Sequence, residues 1–279
     1  MLAVALAIAA SMLWGVGDFL GGLKSRTLPL LGVLICSQAV GFATIAVITV
    51  VSGRHAPPAR DAALAVVSAL AGTAGLAAFY RAMAVGKMSV VVPIAAMSAG
   101  LPVVVGIATG DRPDAAQVAG MAIAFAGAVM ASREPGEGQA GRRTAAGAAL
   151  AAASALAFGC FFLAIDVASD GGAVWASFVN RATSVTILLL VVLVVRPPLR
   201  RVRRDLPVLA LVGVCDVLAN VAFALATTKG LVSLVSVAAS LYPVMTVLLA
   251  RAFLREHVHR TQEIGVAAAL SGVVLIAAG

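Results

Sequence analysis

Long apolar runs separated by short polar connections make up almost the whole chain. Ten of these runs reach the length of about twenty residues that is needed to cross a hydrocarbon core of about 30 Å. The predicted spans are Leu2–Gly22, Leu28–Ser52, Ala62–Val85, Met88–Thr109, Asp114–Ser132, Thr144–Ser169, Ala173–Val195, Leu206–Thr228, Leu231–Phe253 and Thr261–Gly279. The connections hold turn formers and charges that a lipid interior excludes. The pattern therefore predicts an all-α integral membrane protein with ten transmembrane helices.

The two halves of the chain resemble each other at an offset of 143 to 145 residues. Ordered matches pair Ala10-Ser11-x-Leu13 with Ala153-Ser154-x-Leu156, then Ala78-Phe79, Ala82, Gly86, Ser89, Val91 and Ala95 with Ala222-Phe223, Ala226, Gly230, Ser233, Val235 and Ala239, then Gln117, Gly120 and Gly127 with Gln262, Gly265 and Gly272. Five is an odd number of crossings, so the second copy enters the membrane upside down. We expect two inverted five-helix repeats, residues 1–132 and 144–279, joined by a loop at 133–143, with a solute site where they meet.

Composition agrees with a membrane protein, since 62% of the residues are apolar and 11% are charged, against about 25% charged in soluble domains. The formal charge of +8 comes from basic residues scattered between apolar runs, so it does not predict a nucleic-acid partner. Fifteen basic residues flank the connections after the odd-numbered spans, whereas the other side has four, Arg54, Arg60, Arg112 and Lys229. The positive-inside rule then places both termini outside.

Polar side chains at membrane depth are costly and therefore need a reason. Asp216 and Asn220 lie four residues apart near the middle of the eighth span, so they share a helix face. Asn180 and Arg181 lie in the seventh span, and their repeat counterparts in the second span are Ser37 and Gln38. We expect Arg181 and Asp216 to pair in an interior cavity, with Asp216 as a proton-coupling candidate. A purely structural ion pair, or an Arg that snorkels to the interface, is the alternative.

Proline interrupts the fourth and ninth spans, at Pro93 and Pro102 in one and at Pro243 in the other. Interrupted spans at matching places in two repeats are typical of a transport site. Nearby polar residues, which either line that site or only allow close helix packing, are Ser89, Ser98, Ser236, Ser240 and Tyr242.

Two aromatic residues are further candidates for the cavity wall. Trp14 lies well inside the first span, which favours the cavity over a headgroup anchor. Tyr80, next to Arg81 near a span end, fits either place. Together with the polar residues above, the predicted substrate-binding set is Trp14, Gln38, Tyr80, Asn180, Arg181, Asp216, Asn220, Ser240 and Tyr242.

Motifs for enzyme chemistry are weak or missing. Gly15-x-Gly17-Asp18 matches the GxGD string of intramembrane aspartyl proteases, but the chain has no Tyr-Asp partner, and Asp18 is interpreted as a polar residue near a helix end. The three histidines, His55, His257 and His259, fall in connections, and the sequence has no HExxH or P-loop. We predict no enzyme activity, no metal and no cofactor, so an ion or solute gradient would drive any transport.

These features resemble the drug/metabolite transporter superfamily, in particular the EamA type with ten spans in two repeats. The resemblance rests on Leu13-Trp14-Gly15, on Phe79-Tyr80-Arg81-Ala82 with Val91, Val92 and Pro93, and on Tyr242-Pro243 with Arg255-Glu256, Gln262 and Gly265. It implies a monomeric transporter of small metabolites, such as amino acids or drugs, that works by alternating access in the cell membrane. Asp111 stands where many relatives have a Glu, and relatives commonly keep both termini in the cytoplasm, contrary to the loop charges here.

The expected function is therefore secondary-active transport of small organic solutes, with proton coupling. The cavity should be lined by the first four spans and by the sixth to the ninth, while the fifth and tenth brace each half. The alternatives are an intramembrane enzyme that acts on a lipid or peptide substrate, which requires converging catalytic groups, and a non-transporting scaffold, which does not require Asp216 and Arg181 at depth.

Overall fold

The structure is a computed structural model of the whole chain, and it describes residues 1–53, 56–86, 91, 94–131, 142–242, 244–245, 249 and 260–278. These residues form α-helices, short 3-10 segments and turns, without a β-strand among them. The predicted loop at 133–143 lies almost entirely outside the described residues, which resume at Arg142.

Each of the ten predicted spans contains an α-helix in the described part of the chain. The helices of the first half are α1 (Leu2–Ser25), α2 (Leu30–Ser52), α3 (Ala59–Val85), α4 (Gly100–Thr109) and α5 (Ala115–Ala131). Those of the second half are α6 (Arg142–Ala168), α7 (Ala173–Val195), α8 (Leu206–Thr227), α9 (Val232–Ala239) and α10 (Arg260–Ala278). Every predicted boundary that falls on described residues lies within three residues of a helix end. The predicted start of the fourth span, Met88, and the predicted end of the ninth, Phe253, lie outside the described residues.

Local sequence explains where several helices begin and end. Pro29 and Pro58 lie directly before α2 and α3, where the missing N–H costs nothing. Asp114 and Gln117 exchange side-chain and backbone hydrogen bonds before the first turn of α5, a capping box that satisfies two free N–H groups. Gly53 ends α2 with φ of +58°, a left-handed conformation that glycine adopts without strain.

Six helical segments in the described residues are long and apolar enough to cross a membrane. They are Leu2–Ser25, Leu30–Ser52, Ala59–Val85, Ala146–Gly171, Ala173–Val195 and Val202–Thr227. Three further apolar helical segments are shorter, Ile94–Thr109, Ala115–Gly127 and Glu263–Ile276. Their backbone groups are paired within each helix, as a lipid environment requires.

Helix packing follows the pattern that an inverted repeat requires. The most extensive contacts of α1 are with α8, and those of α3 are with α6. Exchanging each helix for the one five places along converts the first pair into the second. The repeat also relates α2 to α7 and α4 to α9, and in both cases the two related helices pack against each other. The large interfaces therefore join one half to the other.

The fifth and tenth helices pack against each other, rather than each bracing its own half as the sequence suggested. A Cβ atom at Gly120 would lie 2.7 Å from the carbonyl oxygen of Gly272, and one at Gly127 would lie 2.7 Å from that of Gly265. The two contacts are equivalent under the repeat. Glycines at these places let the α5 and α10 backbones touch, which joins this pair closely.

Contacts between connections show which helix ends lie on the same side. Lys24, at the end of α1, pairs with Asp205, just before α8, with a distance of 2.6 Å between Nζ and Oδ1. Asp111, after α4, accepts a hydrogen bond of 3.0 Å from the backbone N–H of Ser233 at the start of α9. The connections after the first and seventh helices therefore meet at one end of the bundle, and those after the fourth and eighth meet at the other.

The helices of the fourth and ninth spans are both interrupted, as predicted. In the fourth, a 3-10 turn at Met97–Ala99 precedes α4, and the buried Pro102, which has no N–H to donate, lies in its first turn. In the ninth, α9 ends at Ala239 and a turn follows at Ser240 and Leu241. Pro93 and Pro243, the other predicted helix-breaking residues, lie outside the described residues.

Candidate functional site

A cavity lies where the two halves meet. Its volume is about 60 Å³, room for about four to six water molecules at 10–15 Å³ each. The first four spans and the sixth to the ninth all contribute to its wall, which is the set of spans that the sequence analysis expected. The lining residues are Trp14, Asp18, Leu34, Gln38, Gly72, Thr73, Leu76, Ser98, Phe158, Phe161, Phe162, Asn180, Arg181, Ser184, Leu188, Asp216, Asn220 and Tyr242.

The charged centre of the cavity is an ion pair between α7 and α8. Arg181 Nη1 lies 2.7 Å from Asp216 Oδ2, and the two side chains are 2% and 17% exposed. Gln38, on α2, joins both, because its Nε2 donates to Asp216 Oδ2 at 3.0 Å and its Oε1 accepts from Arg181 Nη1. A buried charge requires a partner of opposite charge, and this arrangement supplies one while tying three helices together.

Small residues make this ion pair possible by bringing α2 and α8 close together. A methyl group on Gly41 would lie 3.0 Å from the carbonyl oxygen of Gly213 and 3.5 Å from Arg181 Nε. Two guanidinium nitrogens, Arg181 Nε and Nη2, are buried without a hydrogen-bond partner in the described part of the chain. The guanidinium is therefore held on one side only, through Nη1, so its bond to Asp216 is its main stabilising contact.

Aromatic rings form another part of the cavity wall, beside Asn220 of α8. The ring of Trp14 lies 5.7 Å from that of Phe162 and 6.3 Å from that of Phe161, measured between centroids. Its indole N–H donates a 3.1 Å hydrogen bond to Asn220 Oδ1, which fixes the orientation of the ring. Phe223 stacks on Phe162 at 4.7 Å and supports this wall from behind.

Hydrogen bonds between α3 and α7 form a neutral polar part of the cavity wall. Asn180 Nδ2 donates to Ser68 Oγ at 2.8 Å, and Thr73 Oγ1 donates to Ser184 Oγ at 2.8 Å. These contacts join the two halves of the chain through neutral groups. The cavity therefore has a charged part, a neutral polar part and an aromatic part.

Seven of the nine predicted binding residues line the cavity. They are Trp14, Gln38, Asn180, Arg181, Asp216, Asn220 and Tyr242. Tyr80 and Ser240 are buried elsewhere: the phenol of Tyr80 packs against Gly21 of α1, and Ser240 donates to the carbonyl oxygen of Val237. Tyr80 is therefore neither a headgroup anchor nor part of the cavity wall in this conformation.

The position of Asp18 differs from the predicted one. It was interpreted as a residue near a helix end, but α1 continues to Ser25 and the Asp18 side chain lines the cavity. It lies close enough to Asp216 for their charges to interact. The spacing of four residues between Trp14 and Asp18 could have revealed this, because it places both on one face of the helix. Thr73 and Ser184 were also missed, and no motif marks them.

The described residues contain no group of three or more His, Cys, Asp or Glu side chains that could hold a metal ion. His55, His257 and His259, which the sequence analysis assigned to connections, lie outside the described residues. The candidate chemistry of the cavity therefore rests on its ion pair, its second carboxylate and its aromatic wall.

Comparison with known proteins adds a family to this geometry. A model of the EamA-like transporter family matches residues 145–278. The second half of the chain is therefore similar to EamA-like transporters, which are drug/metabolite transporters. A crystal structure of another protein aligns with 98% of this chain and 95% of its own, with a TM-score of 0.79 and 18% sequence identity, which shows a shared fold. No curated protein matches the sequence.

The family match indicates a multi-pass membrane protein and a transporter of the drug/metabolite type. Proteins of this family are transporters rather than enzymes. Four aromatic residues that carried the resemblance are buried between helices: Trp14 and Tyr242 at the cavity, and Phe79 and Tyr80 beside α1 and α6.

Proposed function

We propose that this protein is a secondary-active transporter that moves small organic solutes by alternating access through the central cavity. The observation that carries the proposal is the cavity itself, which is lined by helices of both halves and contains an ion pair with the buried Arg181. Ionisable groups at membrane depth are costly and are typical of solute or ion pathways. A membrane scaffold that does not transport solutes does not require ionisable groups at this depth.

The moving parts, in this proposal, are the repeats 1–132 and 144–279. Their largest contacts are with each other, and the interrupted fourth and ninth spans approach the cavity at Ser98 and Tyr242. Rocking of one repeat against the other would open the cavity to either side in turn. The present volume, about 60 Å³, admits only a few non-hydrogen atoms, so larger solutes would enter a more open conformation.

Proton coupling would act through Asp216. Its carboxylate accepts hydrogen bonds from Arg181 and Gln38. A proton on Asp216 would remove the charge that Arg181 is paired with and weaken the link between α2, α7 and α8. Proton binding at Asp216 would thereby favour a rearrangement of the two halves, which is the physical requirement for coupling.

The test is solute flux into liposomes that contain the purified protein, measured for a metabolite panel with and without a proton gradient. We expect at least one solute to accumulate when the gradient is present, and Asp216→Asn to abolish that accumulation. Asp205→Asn is the matched control, since it makes the same chemical change at the end of the bundle, outside the cavity. Gradient-driven accumulation by Asp216→Asn at the wild-type rate would disprove the coupling role, and no flux of any solute would disprove transport.

Location and sidedness are part of the same proposal. We place the protein in the cell membrane as a monomer, because one chain supplies all the residues that line the cavity. Loop charges favour both termini outside, whereas the habit of the family favours both inside. Labelling of a single cysteine introduced at Lys229, with a membrane-impermeant maleimide on intact cells, distinguishes the two arrangements.

A further inference from the structure

We propose that the cavity selects solutes that carry a positive charge, with Asp18 binding the cationic group and the aromatic wall binding the apolar remainder. This inference rests on the proposed transport function and specifies its substrate class. Asp18 was not among the residues that the sequence analysis assigned to binding, and the ion pair of Arg181 and Asp216 does not involve it.

The charges that line the cavity do not balance. Among its lining residues, Asp18, Arg181 and Asp216 are the charged ones. Arg181 and Asp216 neutralise each other across 2.7 Å. One carboxylate remains, that of Asp18, so the cavity has a net charge of −1 when all three groups are ionised. An uncompensated charge in an apolar interior is unfavourable, and a bound cation supplies the missing charge.

Asp18 also lacks a protein partner of its own. Within the described residues, the carboxylate of Asp18 has neither a hydrogen bond nor an ion pair, in contrast to Asp216, which has two donors. The charge that acts on it is that of Asp216, which is of the same sign. The oxygens of Asp18 are therefore available to accept hydrogen bonds from a solute.

Trp14 and Asp18 together form the recognition surface for such a solute. They lie four residues apart on α1, so the indole and the carboxylate face the cavity one helical turn apart. The hydrogen bond from Trp14 to Asn220 holds the ring in place before a ligand arrives. An indole face attracts a cation through its quadrupole, and Phe161 and Phe162 extend the same apolar surface.

Three solutes with one side chain and different charges test the inference. They are valine, which is zwitterionic, isobutylamine, which is its cationic decarboxylation product, and 3-methylbutanoate, which is its anionic deaminated analogue. Each is offered in radioactive form to liposomes that contain the full-length protein, and uptake is compared with that of protein-free liposomes. We expect isobutylamine to exceed 3-methylbutanoate by about tenfold or more, the size of effect that one charge-assisted hydrogen bond gives.

Variants at Asp18 decide whether that carboxylate is the cause. Asp18→Asn should bring the ratio of amine to acid uptake close to one, whereas Asp18→Glu, which keeps the charge, should retain most of the preference. Asp205→Asn should behave as wild type, because Asp205 lies at the end of the bundle beside Lys24. Thermal unfolding of each purified variant shows whether a loss of uptake comes from loss of the fold. For a variant that folds but does not transport, binding of isobutylamine by isothermal calorimetry replaces uptake as the readout.

Three results would overturn the inference. One is a wild-type preference for valine or for 3-methylbutanoate over the amine. Another is an amine preference that persists in Asp18→Asn, which would place the cation site elsewhere. The third is equal uptake of amine and acid by both wild type and Asp18→Asn, the result expected if the Asp18 carboxyl group holds a proton permanently. Transport of other panel solutes with none of these effects leaves the proposed function standing, whereas no flux of any solute removes both.

Discussion

Gln38 and Arg181 are repeat counterparts, 143 residues apart in sequence, and their side chains are hydrogen-bonded to each other between α2 and α7. Two equivalent positions can touch only on the axis that relates the two halves. The amide of the first half therefore meets the guanidinium of the second at the centre of the molecule. Asp216, on α8, accepts a hydrogen bond from each of them, and it has no counterpart in this cluster from the other half.

The ion pair of Arg181 and Asp216 should show strong coupling in a double-mutant cycle. Asp216→Leu alone leaves a buried guanidinium without a counter-charge, so we expect a loss of about 3–5 kcal/mol in stability. Arg181→Met combined with Asp216→Leu removes both charges and should recover much of that loss. Thermal or denaturant unfolding in detergent provides the measurement. A double variant as unstable as the sum of the two single variants would contradict the pairing.

The crossing of α2 and α8 should not tolerate a side chain at Gly213. A methyl group there would collide with the carbonyl oxygen of Ser37. Since a backbone atom cannot move aside cheaply, Gly213→Ala should destabilise the protein by about 1–3 kcal/mol. Gly100→Ala is the control, because nothing lies within 4 Å of a Cβ at that helical position, and it should be neutral or stabilise by up to about 1 kcal/mol. Equal unfolding temperatures for the two variants would show that the helices do not approach so closely.

Tryptophan fluorescence should report on the occupation of the cavity. The chain has two tryptophans: Trp14 lines the cavity, whereas Trp175, in contact with Phe178 at 5.3 Å, does not. In Trp175→Phe, a transported solute should change the emission of Trp14 with a saturable dependence on concentration. In Trp14→Phe, the same solute should leave the emission of Trp175 unchanged, and a response there instead would place the solute outside this cavity.

The contact between Lys24 and Asp205 should contribute little to stability. Both side chains are 26% exposed, and an exposed ion pair contributes about 0–1 kcal/mol and is screened by salt. We expect Asp205→Asn to lower the unfolding temperature slightly at low salt and not at all at high salt. A large effect that persists at high salt would mean that this pair is part of the interface between the halves.

Sequence alone predicted much of the architecture. Apolar run length is set by the thickness of the bilayer, so Ala173–Val195 was located to the residue and the other boundaries closely. The offset between the halves predicted the symmetric helix packing, since equivalent helices carry equivalent glycines, as Gly120 and Gly265 do. The same local rules placed the interruptions in the fourth and ninth spans.

What the tertiary structure alone decided is which polar side chains share a space. Hydropathy within a span does not encode the rotation of the helix about its own axis, because packing against neighbouring helices sets it. Asp18 and Tyr80 show the consequence: the carboxylate expected at a helix end lines the cavity, and the phenol expected at the cavity or the headgroups packs against Gly21. The spans and the symmetry can thus be predicted from the sequence, because they depend on local hydropathy and on repeated residues. Which residues line the cavity depends on the packing of segments that lie far apart in the chain.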